Sequence, residues 1–187
     1  MAKTIIFSRN FPSYHRHAGD KTYFVESVLK GLNIPIDEAY HEFLFRENID
    51  KFSIEQINEF YESLYKNFEH TRTKVHTIRP TTRFKVGEPA SFRVWSGKPY
   101  HTPQMTFAYA TINQIIPVEL HTGVEAVKIN DGAYDFENYE KVITKMSSND
   151  GLGPLDFISW FDGKKQKGLF SFVGKIIVFA EEPVEYP

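Results

Sequence analysis

Residues 72–104 read RTKVHTIRPTTRFKVGEPASFRVWSGKPYHTPQ. They hold seven of the chain's 22 Lys and Arg and one of its 24 Asp and Glu, a formal +6 against −8 for the remainder. A net charge of −2 therefore hides one basic block in an acidic chain, and such asymmetry suggests an anionic partner. Phe84, Phe92, Trp95 and Tyr100 are interleaved with the cations, and Gly87, Gly97 and Pro99 punctuate them. That pattern predicts strands and tight turns, not a disordered basic arm. Alternation of Phe92 and Val94 with Ser91, Arg93 and Trp95 makes 90–95 a strand.

Outward from this block, the N-terminal third reads as helical. A strand over 3–8 (KTIIFS) leads into a loop over 9–20 with Arg9, His15, Arg16 and His17 beside Phe11 and Tyr14. Asp20 is expected to cap a helix carrying Tyr23, Phe24, Val28 and Leu32, with Gly31 as its stop. Pro35 opens a second helix, and Ser53 with Gln56 forms a capping box for a third, whose stripe runs from Ile54 to Phe68. On the other side, strands are expected over 105–111, 114–120 and 123–129, then a turn at Asn130-Asp131-Gly132. A helix over 136–146, a break at 148–153, a short helix opened by Pro154, a basic tip at 164–167 and a strand over 170–179 complete the pattern. The tail 181–187 reads as a short edge or frayed end.

Six residues inside the basic block, Lys74-Val75-His76-Thr77-Ile78-Arg79, read K-x-x-T-x-R. A Lys-x-Gly-acid turn (Lys85-Val86-Gly87-Glu88), the strand 91–95 and the later run Asn149-Asp150-Gly151-Leu152 with Asp156-Phe157 and Trp160-Phe161 follow in order. Together they resemble the ASCH domain family, a branch of the PUA-like β-barrels, over roughly the last two-thirds of the chain. Residues 96–100 (SGKPY) look like a long subgroup seen in bacteria and their phages. The signature's leading Gly is Arg72 in this chain. The resemblance implies an α+β fold: a PUA-like, ASCH-type small β-barrel with packed helices, one domain over 1–187, and residues 33–73 as a helical insert.

Two kinds of chemistry follow. Phosphate needs cations and unpaired bases need flat aromatic faces. Arg72, Arg79, Arg83, Arg93, Lys98, Trp95 and Tyr100 are therefore candidates for binding RNA, a nucleotide or a modified nucleoside; a solvated strand face is the plain alternative. The resemblance adds Lys74, Thr77 and Asp150 as a catalytic set for hydrolysing N4-acylated cytidine, with Asp150 where that branch carries Glu. A Lys desolvated in a barrel mouth sheds its proton more readily and could activate the Thr hydroxyl. In the plain alternative, Lys74 and Arg79 bind phosphate and Thr77 finishes a strand. A third possibility is a basic face docking an acidic protein. His76 should face away from Thr77 by strand alternation.

The chain has no Cys, which excludes disulfides and thiolate metal sites, and no histidine spacing of a metal motif. No cofactor signature is present: 96–99 lacks the glycines and helix of a phosphate loop. With no apolar run long enough for a signal peptide or membrane span, the expectation is a cytoplasmic protein without a membrane partner. Nothing in the sequence sets its oligomeric state.

Overall fold

Alternating residues in the C-terminal two-thirds build two sheets rather than one barrel. The computed structural model describes residues 2–46, 49–121, 125–130, 132–134, 136–162 and 171–186. The first sheet holds β1 (Lys3–Ile6), β3 (Pro89–Trp95) and β4 (Gln104–Thr111) in the order β1-β3-β4. β1 runs parallel to β3, and β3 and β4 are antiparallel with a register shift between Phe92 and Arg93. The second sheet orders β2 (His76–Arg79), β8 (Ser171–Val178), β5 (Gln114–His121), β6 (Ala126–Ile129) and β7 (Gly132–Tyr134) as β2-β8-β5-β6-β7. All its pairings are antiparallel.

The chain is thus α+β, but the expected barrel is not closed among the described residues. β1 and β2 are the edges of separate sheets, so no backbone ladder joins them. Where a ladder would run, the Arg79 guanidinium instead donates to the Ile6 carbonyl at 2.7 Å. The core between the sheets is aromatic: Phe7 meets Phe92 at 5.4 Å and Phe107 at 5.8 Å, and Phe92 meets Phe179 at 4.8 Å. Such edge-on pairs combine large apolar burial with favourable ring geometry.

The helices form α1 (Phe24–Gly31), α2 (Ile36–Arg46), α3 (Ile54–Phe68), α4 (Phe136–Asn149) and α5 (Pro154–Asp162). Ser53 and Gln56 complete the capping box of α3, side chain to backbone, at 3.2 and 3.0 Å. Ile57, Phe60, Tyr61 and Leu64 bury its apolar stripe.

Two local expectations need correction. Asp20 does not cap α1; its carbonyl accepts from the Phe11 N–H at 2.8 Å and helps close the loop, and Tyr23 stands at the N-cap with φ +55°. Gly31 is the last residue of α1, as expected of a stop, and Asn33 two residues on takes the positive φ, +54°. The tail is not frayed over 181–186. Val184 N–H donates to Gln114 Oε1 at 2.8 Å, and the Tyr186 hydroxyl lies 2.8 Å from His76 Nδ1. The expected basic tip at 164–167, the start of the 123–129 strand and Asp131 of the turn lie outside the described residues. Among the described residues no helix is long and apolar enough to cross a membrane.

Candidate functional site

A cleft of about 660 Å³ opens between the two sheet edges, lined by Ile6, Phe7 and Ser8 on one side and Thr77, Ile78 and Arg79 on the other. Its floor is Lys74, and Asp150 also lines it. Three backbone hydrogen bonds bring these last two together. Lys74 N–H donates to Ser27 O at 2.8 Å, Val75 N–H to Asn149 O at 2.8 Å, and Phe179 N–H to Val75 O at 3.1 Å. The motif is therefore clamped between α1, the end of α4 and the residue that follows β8. Lys74 and Asp150 form an isolated antiparallel bridge, which fixes Asp150 beside the motif across 76 residues of sequence.

Lys74 is 1% exposed and Asp150 4%. The Lys74 ammonium donates to the Asp150 carbonyl at 2.7 Å and to its Oδ1, and stands 4.2 Å from the centre of the Phe24 ring. Burial lowers the Lys74 pKa to about 8, although Asp150 pulls the other way. In water the same ammonium holds its proton to about pH 10.4. Thr77 is buried on β2 and lines the same cleft. His76 points away, as alternation requires: it is fully buried and absent from the lining.

The rim is aromatic. Residues 96–103 make a closed turn: Ser96 N–H bonds Pro103 O at 3.0 Å, and Gly97 N–H bonds Thr102 Oγ1 at 3.0 Å. The turn holds Tyr100 at φ +65°, a conformation uncommon for an aromatic residue. Tyr100 is 86% exposed and its ring lies 5.2 Å from that of Trp95, both on the cleft. Opposite them, Trp160 meets Phe24 edge-on at 5.4 Å. Both tryptophans of the chain line this cleft.

The expected binding residues are divided by the fold. Arg79, Trp95 and Tyr100 line the cleft; Arg83, Arg93 and Lys98 do not. Arg72 lines a different recess, with Lys21, Tyr23 and Asn67. Arg93 shares β3 with Trp95, but its Nε is buried and makes no hydrogen bond among the described residues. Sequence reasoning missed Phe24, Trp160 and the loop cations Arg9 and Lys21, all in the lining. Their spacing resembles core and surface positions, and the bridge between Asn10 and Lys21, with Thr22 N–H donating to Arg9 O at 3.0 Å, gathers the loop at the cleft. No group of three or more metal-ligating side chains is present among the described residues.

Comparison of the chain with protein-family models, curated proteins and solved structures found no match. The likeness to ASCH domains therefore rests on the short segments quoted above.

Proposed function

We propose that this cleft binds a nucleotide or a modified base, free or carried on RNA, and that the fold is an opened relative of the PUA-like, ASCH-type barrels. One observation carries the reading: Lys74, Thr77, Arg79 and Asp150 share a cleft with Trp95, Tyr100 and Trp160. Its volume suits a small organic ligand. The aromatic rim offers faces for a base, Arg9, Lys21 and Arg79 offer charge to phosphate, and the floor offers donors and an acceptor to a base edge.

Because both tryptophans border the cleft, intrinsic fluorescence reports occupancy directly. Titration with cytidine, CMP or a short single-stranded RNA should give a saturable change, weakened by salt for the phosphorylated ligands. Tyr100→Ala, at an exposed position, should weaken binding about tenfold through lost stacking. No saturable change with any of the three ligands would remove the proposal.

A second reading, hydrolysis of an N4-acylated cytidine, is favoured by the lowered Lys74 pKa in a cleft that Thr77 also lines. Neutral Lys74 would take the Thr77 hydroxyl proton as the oxygen attacks the acyl carbon. The carbon–N4 bond then breaks, the lysine returns the proton to the departing amine, and water releases the acid from the threonyl ester. Only neutral lysine can accept the proton, so the rate should rise through about pH 8 and level off above it. Acetate release from N4-acetylcytidine, abolished by Thr77→Val, is the measurement; no release by the unaltered protein ends this reading.

A further inference from the structure

Outside the cleft lining, but touching its floor, lies a polar group that the function above does not use. His76 is fully buried on β2. Its Nδ1 is 2.8 Å from the Tyr186 hydroxyl. Its Nε2 makes no hydrogen bond among the described residues and lies 3.9 Å from Asp150 Oδ1, the same oxygen that Lys74 contacts.

The proton positions follow from the surroundings. Burial and the nearby Lys74 ammonium push the His76 pKa well below its ordinary value, so the ring is neutral and carries one N–H. A carboxylate facing Nε2 favours the proton there. Burial raises the Tyr186 pKa, so the phenol stays protonated and donates to Nδ1. The unpartnered atom is thus a donor directed at a carboxylate that another donor already holds. A shift of about 1 Å would bring the two within hydrogen-bond distance.

We propose that His76 and Tyr186 are positioning residues of the cleft, with His76 Nε2–H serving as a second seat for the Asp150 carboxylate when Lys74 turns to a ligand or loses its proton. A buried carboxylate abandoned by its cation would be strongly disfavoured. With the second seat it keeps a donor in both positions, and Lys74 is released without stranding a charge. No proton moves at His76; Asp150 only changes partner. The groups acting on Asp150 include Lys74 and Arg79 on the cleft side and His76 and Tyr186 behind it. The purpose of the device rests on the cleft being a ligand site, but its existence is measured without ligand.

The test is NMR of the ligand-free chain labelled at histidine nitrogen and lysine carbon. His76 should show the Nε2–H tautomer, and Lys74 should titrate near about 8. His76→Gln puts an amide N–H where Nε2–H stood and should leave the Lys74 midpoint in place. His76→Phe fills the ring space without a donor and should raise that midpoint by about one pH unit, because Asp150 then loses the second donor that would hold it once Lys74 is neutral. Tyr186→Phe should raise it by less, since only the tautomer lock is lost. A purely space-filling histidine predicts the reverse order, with Phe nearer to the unaltered protein than Gln. That order, equal midpoints throughout, or an Nδ1–H tautomer overturns the proposal. Should a His76 variant fail to fold, the tautomer and Tyr186→Phe still decide. Failed nucleotide binding with the expected midpoints would refute only the function proposed above.

Discussion

Asp150→Asn lowers the thermal midpoint at pH 7 by roughly 10 °C. The substitution preserves shape and leaves an acceptor for the Lys74 ammonium, but it removes the carboxylate that the ammonium contacts at a site 1% exposed. Breaking a buried pair by removing one partner costs about 3–5 kcal/mol, and a chain of this size loses about 2–4 °C per kcal/mol. Deprotonation of Lys74 bounds the loss, because the neutral amine needs no counter-charge.

The same lysine fixes a pH signature. Its folded pKa, about 8, lies below the ordinary lysine value of about 10.4, so between those limits the unfolded chain holds more protons than the folded one. Stability contributed by Lys74 therefore rises with pH across that window, by at most about 3 kcal/mol, and is lost as pH falls to about 8. Tyr139 and Tyr186, whose pKa values are raised, oppose it above about pH 10. Lys74→Met supplies the reference curve: the difference between it and the unaltered protein isolates the lysine. The Asp150→Asn deficit should shrink at pH 9.5. A midpoint unchanged at pH 7, or a deficit independent of pH, would mean that Lys74 is not a buried, paired ammonium.

Local rules made most of the elements legible. The capping box at Ser53 and Gln56, the Pro154 start of α5 and the alternation of 90–95 each depend on residues a few positions apart, and each is realised. What joins the elements depends on ladders that periodicity does not encode. Nothing in KTIIF specifies that β1 runs parallel to β3 and leaves β2 as the edge of another sheet, so closure of the barrel came from resemblance alone. The site divides the same way. Arg79, Trp95 and Tyr100 were drawn from the basic block by residue type and do line the cleft, while Arg93 on the same strand does not. Charge is visible in a sequence; which strand face will border a cleft is not. Phe24 and Trp160 had no polar signature to mark them, and His76 was read only by its direction, since its value depends on Tyr186, 110 positions away.

Gly31→Ala is the second large effect, and it reaches the cleft without touching it. A β-carbon at Gly31 would lie 1.9 Å from the Lys74 carbonyl oxygen and 2.7 Å from its carbon, distances no side chain tolerates. Backbone is the obstacle on both sides, so no rotamer change relieves it. Lys74 is held from behind by its bond to Ser27 O, and the next residue by Asn149 O; the end of α1 is held by Leu32 N–H to Val28 O and Ile34 N–H to Leu29 O, both 2.9 Å. Either α1 or the motif must shift. Overpacking of this kind costs about 3 kcal/mol, and because Lys74 moves with its backbone, the contact with Asp150 and the cleft floor are disturbed together. The expected result is a lower midpoint and loss of the tryptophan response to nucleotide in one variant. Gly19→Ala is the control. Gly19 has φ +88° and open space around it, so its cost is conformational alone, about 1 kcal/mol, with the cleft untouched. Equal stabilities for the two variants, or a normal ligand response from Gly31→Ala, would show that the glycine is not needed for the close approach of α1 to the motif, and that the clamp around Lys74 is looser than its hydrogen bonds imply.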